Sequence, residues 1–219
     1  MHLWSAAHIW AAFLDQIGGW VGLFASITGL ISVYYAVKNS ILTWPTGIVS
    51  VILFGWVFWV TKAYSNAWLQ IFYYLPISFY GWYVWLRGGP KRNDDLPIIV
   101  LSHRARLLWT VITVAACLAW GYYEKRYTDA PMPWCDASLT VISIVAQYLQ
   151  TRKFLENWIL WILVDIVYAF YFLPHQGLSM VAALYGVFLI MAGLGGIEWL
   201  KIMRAAQIPA VEIPSTEGV

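Results

Sequence analysis

The chain has 219 residues, 61% of them hydrophobic, 18% aromatic and only 11% charged, with a mean hydropathy of +0.66. Soluble domains carry roughly 25% charged residues, so an ordinary water-soluble globule is excluded. A net charge of +2, with the basic residues confined to short hydrophilic breaks, also excludes a nucleic-acid-binding stripe.

Residues 1–17, MHLWSAAHIWAAFLDQI, have no basic leader region and no small-residue cleavage site, and read as an amphipathic segment lying in the membrane interface. A helix needs about 20 apolar residues to cross the hydrocarbon core, because no water is present there to satisfy open backbone groups. Seven stretches qualify: 18–37, 41–61, 66–86, 107–123, 134–150, 155–173 and 178–200. Cys117 and Cys135, inside the fourth and at the edge of the fifth, have neither CxxC nor metal-ligand spacing.

The cations sort onto two sides. Lys38, Arg87, Lys91, Arg92, Arg104, Arg106, Arg152, Lys153, Lys201 and Arg204 share one side, against Lys62, Lys125 and Arg126 on the other. The positive-inside rule then places the N-terminus outside and the C-terminus in the cytoplasm. Tryptophans near span ends, such as Trp20, Trp85, Trp134 and Trp199, suit interfacial anchoring.

A shift of 114 residues superposes Trp44 on Trp158, Gly81 on Gly195, Trp85 on Trp199 and Arg87 on Lys201, with Lys38/Arg152, Phe54/Tyr168, Phe58/Phe172 and Ser65/Ser179 in the same ungapped register. Matches of Trp and Gly are less easily produced by an apolar composition than matches of Leu and Ile. Three spans are an odd number, so the intervening fourth helix restores the second copy to the orientation of the first. The expected fold is an all-α polytopic membrane protein, its seven transmembrane helices in a 3+1+3 parallel-repeat arrangement, as in SWEET-type carriers, which bind substrate near the midplane between repeats. The expected organisation is an interfacial segment (1–17), a first three-helix repeat (18–86), a basic loop with linker helix and outer loop (87–133), a second three-helix repeat (134–200) and a cytoplasmic tail (201–219).

Ionisable groups at membrane depth are expensive and mark functional sites by default. Asp165 is the one acidic residue in the middle of a span, and no lysine or arginine lies deep in any span to neutralise it. It faces a cationic substrate, titrates a coupled proton, or sits protonated or hydrogen-bonded to an indole or phenol. The spacing of Trp158, Trp161, Asp165 and Tyr168 places them on one helical face, and that of Gln70, Tyr73 and Tyr80 predicts another. Gln147 and Asn157 add amides, which donate to and accept from hydroxyls and carboxamides, or else join helices to one another. Aromatic faces with amides suit a nucleoside better than an inorganic ion.

The stretches ITGLISVYYAVKNSILTWPTGIVSVILF, AWLQIFYYLPISFYGWYVW, DASLTVISIVAQYLQTRKFLENWILWILVDIVYAFYF and LYGVFLIMAGLGGIEW resemble the Pnu-type vitamin transporters, most closely their nicotinamide riboside branch, over residues 27–199. The resemblance implies a bacterial inner-membrane, SWEET-like facilitator, trimeric and without a cofactor, that equilibrates nicotinamide riboside while cytoplasmic phosphorylation traps it. It implies a site lined by Trp44, Gln70, Tyr73, Tyr80, Gln147, Asn157, Trp158, Trp161, Asp165 and Tyr168. Relatives carrying thiamine or riboflavin leave the vitamin open, and a sugar carrier is the further alternative. A membrane enzyme lacks a nucleophile–base pair, since His2, His8, His103 and His175 lie outside the spans or at their edges. A retinal receptor lacks a Schiff-base lysine within the seventh span.

Overall fold

The computed structural model describes residues 6–88 and 96–207. Lys91 and Arg92 of the basic loop, the first five residues and the tail beyond 207 lie outside the described residues. The fold is all-helical: α1 (Ala6–Ile17), α2 (Gly19–Val37), α3 (Thr43–Val60), α4 (64–87), α5 (His103–Tyr127), α6 (Pro133–Thr151), α7 (Asn157–His175) and α8 (Ser179–Gln207). Of these, α2, α3, α5, α7 and α8 are long and apolar enough to cross a membrane. Helices α4 and α6 coincide with the third and fifth expected spans but are more polar, α4 carrying Gln70 and five tyrosines and α6 carrying Tyr148, Gln147 and Gln150. Helix α5 runs past the 107–123 expected of the fourth span at both ends, because Ser102 caps it through the Ala105 amide and Lys125 and Arg126 favour its C-terminal dipole.

Helix α2 packs on α3 and on α8, α6 on α7 and on α4, and α5 chiefly against α6. The first helix of each three-helix set thus touches the last helix of the other. The loop before α5 is pinned to the α6–α7 turn, where Leu155 N–H donates to the Ile99 carbonyl and Ile99 N–H to that of Lys153. Glu156 accepts from the Leu101 amide and from Arg106 Nε at 2.9 Å, which makes an ion pair with Arg106.

One packing motif occurs twice. The Trp44 ring lies on Gly81 and meets Trp85 edge-on at 5.4 Å, and the Trp158 ring lies on Gly195 and meets Trp199 edge-on at 5.4 Å. Trp85 and Trp199 then join the pairs at 6.0 Å, and Trp199 Nε1 donates to the Ala36 carbonyl at 2.8 Å. Glycine is required at 81 and 195 because a Cβ at either position would intrude on the indole above it. Asn39 and Lys153, 114 residues apart, both turn the chain with left-handed φ values of 52° and 53°.

The repeat is nevertheless not gapless. Segments 72–76 and 170–174 read FYYLP and FYFLP, and each proline follows a π-helical turn, Gln70–Tyr74 in α4 and Tyr168–Phe172 in α7. A proline within a helix lacks an N–H and its ring clashes with the carbonyl four residues back, here Phe72 and Phe170. The widened turn absorbs that clash, with Leu75 N–H bonding the Gln70 carbonyl and Leu173 N–H that of Tyr168, five residues back in each case. The extra residue sits in α7 of the second set but in α4 of the first, so the register is 114 up to the α3 and α7 cores, 115 from there to the starts of α4 and α8, and 114 again at Gly81/Gly195. The counterpart of Phe58 is therefore Leu173, not Phe172, and Ser179 opens its helix where Tyr64 opens α4.

Substituting Gly195→Val should lower the melting temperature of the detergent-purified protein, with overpacking of about 1–3 kcal/mol. Gly186→Ala, where a Cβ meets nothing within 4 Å, should leave it unchanged or slightly raised.

Candidate functional site

Helix α7 presents the inward face that its spacing implies. Ile159, Leu163 and Ile166 are exposed on one side, while Trp158, Asp165 and, partly, Trp161 and Tyr168 are buried on the other. Along this face three environments succeed one another. At the basic end Trp158 and Asn157 are buried in the indole core with Trp44, and Asn157 Nδ2 donates to the Phe154 carbonyl at 2.6 Å. In the middle Trp161 spans two apolar clusters, and its Nε1 donates to Gln150 Oε1 at 3.0 Å. Beyond it lies Asp165, 5% exposed, and then Tyr168, whose ring lies 4.5 Å from that of Tyr185 on α8.

The central cluster draws on four helices. Tyr185 has the Asp165 carboxyl and the Tyr74 and Tyr168 phenols among its ionisable neighbours. Gln147 and Gln150 keep helical spacing on α6, so Gln147 shares the face from which Gln150 reaches α7. Asp136, at the start of α6, is a further acidic neighbour of Tyr168. Among the described residues the Asp165 carboxylate has neither a hydrogen-bond donor nor a cation as partner.

The face expected from Gln70, Tyr73 and Tyr80 is divided, because the π-turn between 70 and 74 rotates the later residues of α4 about the helix axis. The Tyr73 hydroxyl donates to the Ile144 carbonyl of α6 at 2.5 Å, and the Tyr80 hydroxyl accepts from Arg152 at 3.2 Å. Gln70 instead lies against Gly55, in a groove of about 400 Å³ between α3 and α4 lined by Ile52, Trp56 and Trp59. A second cavity of about 620 Å³ lies among α1, α2 and α3, and neither includes Asp165. The structure thus gathers Gln147, Trp161, Asp165 and Tyr168 at the centre, holds Trp44, Asn157 and Trp158 in the closed basic end with Tyr80 beside it, and turns Gln70 outward. Sequence reasoning missed Tyr74, Tyr185 and Gln150. Tyr74 is hidden by the π-turn, and Tyr185 stands alone on an apolar helix, with no neighbouring polar residue to draw attention to it.

A family model described as "Nicotinamide mononucleotide transporter" matches residues 19–201. The chain belongs to this transporter family. It is 25% identical over 209 residues to the nicotinamide riboside transporter PnuC of Escherichia coli, covering 84% of this chain and 87% of that one. It is 31% identical over 159 residues to the riboflavin/roseoflavin transporter RibM of Streptomyces davaonensis, covering 70% and 72%. A crystal structure of the vitamin B3 transporter PnuC shares the fold, with a TM-score of 0.69 and 24% identity over 94% of this chain and 95% of that one. The chain is accordingly a multi-pass membrane protein of a transporter family, and its relatives are named for carrying vitamins.

The Trp161–Gln150 contact should appear in a double-mutant cycle of thermal stability. Trp161→Phe and Gln150→Leu should each destabilise, and the pair should couple by about 1 kcal/mol. Strict additivity would mean that the indole N–H does not hold Gln150 in place.

Proposed function

We propose that this protein takes up nicotinamide riboside across the bacterial inner membrane by facilitated diffusion, with cytoplasmic phosphorylation making entry irreversible. The observation that carries the reading is a single inward face of α7, Trp161–Asp165–Tyr168, set opposite amides of α6 within a nicotinamide mononucleotide transporter family chain. Trp161 and Tyr168 stack on the pyridinium ring, a cation–π contact of about 0.5–2 kcal/mol, and Gln147 serves ribose hydroxyls and the carboxamide. Tyr73, Tyr80, Trp44, Asn157 and Trp158 complete the pathway towards its ends, while Gln70, in the α3–α4 groove, stands outside it. In the closed basic end, Trp44 and Trp158 reach substrate only when the indole core parts.

The seven helices α2–α8 cross the membrane as two parallel three-helix repeats around the linker α5, with α1 in the interface. Chain parity and the reciprocal contacts α2–α8 and α6–α4 support this arrangement. The cation distribution supports an external N-terminus and a cytoplasmic C-terminus. Helix α5 packs chiefly on α6 and exposes apolar side chains such as Leu107, Val111, Val114 and Leu118, which suits lipid or the neighbours in a homotrimer. Native mass spectrometry of the detergent-purified protein should give three copies; a monomer would remove the trimer from the reading.

The 31% identity to a riboflavin carrier favours riboflavin as a second reading. Isothermal calorimetry decides between them: nicotinamide riboside should bind, riboflavin and monosaccharides should not. Gln147→Ala should weaken nicotinamide riboside about tenfold, the loss of roughly one hydrogen bond. Binding of riboflavin alone would transfer the protein to the flavin branch.

A further inference from the structure

Asp165 is a carboxylate placed where carboxylates are costly. It sits in the second half of α7, 5% exposed, and among the described residues no donor or cation contacts it. Lysine and arginine are absent from α2, α3 and α6 and occur in α4 and α8 only at Arg87, Lys201 and Arg204, within two turns of the helix ends. Its surroundings are rings: Trp161 one turn before it, Tyr168 three residues after it, and Tyr185 across the interface, with Tyr74 a further neighbour of Tyr185. A hydroxyl-bearing substrate needs amides or hydroxyls, which Gln147 and Gln150 already supply. A flat neutral ring needs aromatic faces, which the tyrosines and Trp161 already supply. Neither requires an unneutralised carboxylate, because burying one without a partner is destabilising. A permanently cationic ring does, since it meets the negative faces of the aromatics and the carboxylate at once.

We infer that Asp165 is the charge-selecting residue of this site: it makes the protein discriminate a cationic aromatic ring from a neutral ring of the same shape. This rests on the nicotinamide riboside reading and adds the basis of selectivity to it. The Tyr168–Tyr185 contact begins one turn along α7 from the carboxylate, and Tyr185 has Asp165 as an ionisable neighbour, so a ring that parts those two phenols comes near Asp165. Shape and stacking then set how well a ring fits, and Asp165 sets which charge it carries.

Nicotinamide riboside and its reduced dihydropyridine form are the matched pair for the test, sharing ribose and carboxamide and differing by the ring's positive charge. Calorimetry on the full-length protein in detergent should give the cation at least tenfold tighter binding than the neutral form, about 1.4 kcal/mol. In Asp165→Asn the cation should weaken and the neutral form hold or improve, bringing the two within threefold, while Asp165→Glu should keep the preference. Equal binding of the two forms by the unaltered protein overturns the inference, and this comparison needs no variant to fold. A preference that persists in Asp165→Asn overturns it as well, and in both cases the nicotinamide riboside reading survives. If the unaltered protein binds riboflavin and neither nicotinamide form, the inference falls together with that reading.

Discussion

Two indoles laid on two glycines hold the bundle together. Trp44 on Gly81 and Trp158 on Gly195 bring the second and third helices of each set to a separation that only a residue without a side chain permits. The rings then extend past the glycines to meet Trp85 and Trp199, so each contact is both a close helix approach and one side of the core between the sets. In a bilayer the hydrophobic effect does not drive helices together, and association rests on dispersion contacts of this kind. The relative placement of everything further along α4, α7 and α8, including Tyr74, Asp165 and Tyr185, is set by where these rings fix the helix ends.

Against that fixed end stand two loosened turns. The π-turns before Pro76 and Pro174 lie in helices that hold central residues, and each interrupts the regular backbone ladder close to the ring cluster. They occupy non-equivalent helices of the two sets, so the near-symmetric scaffold carries an asymmetric interior. On one side the π-turn delivers Tyr74 beside Tyr185, and on the other it begins at Tyr168, next to Asp165. A duplicated scaffold can thereby surround a ligand that has no symmetry of its own.

The chemistry of the centre is a division of labour among residue types. Phenols and an indole offer faces, the α6 amides offer paired donors and acceptors, and one carboxylate offers charge. Gln150 is itself held by the Trp161 N–H, so the amide face and the aromatic face are tied together. Glu156 ties the loop ahead of α5 to the α6–α7 turn through Leu101 and Arg106.

The amino-acid order by itself determined the helical class, the approximate extents of the long helices and the pairing of Trp44, Gly81 and Trp85 with Trp158, Gly195 and Trp199. Bilayer thickness fixes the first two, and a close helix contact demands a matched partnership of large and small residues for the third. It also made α7 legible, because Trp158, Trp161, Asp165 and Tyr168 lie on regular helix up to the π-turn and helical spacing holds throughout. Only the tertiary structure decided where Gln70 points, since a single extra residue in the π-turn parts it from Tyr73 and Tyr80. It alone brought Tyr185 towards Asp165 and Tyr74 towards Tyr185, because residues on different helices meet through packing, which no local periodicity encodes.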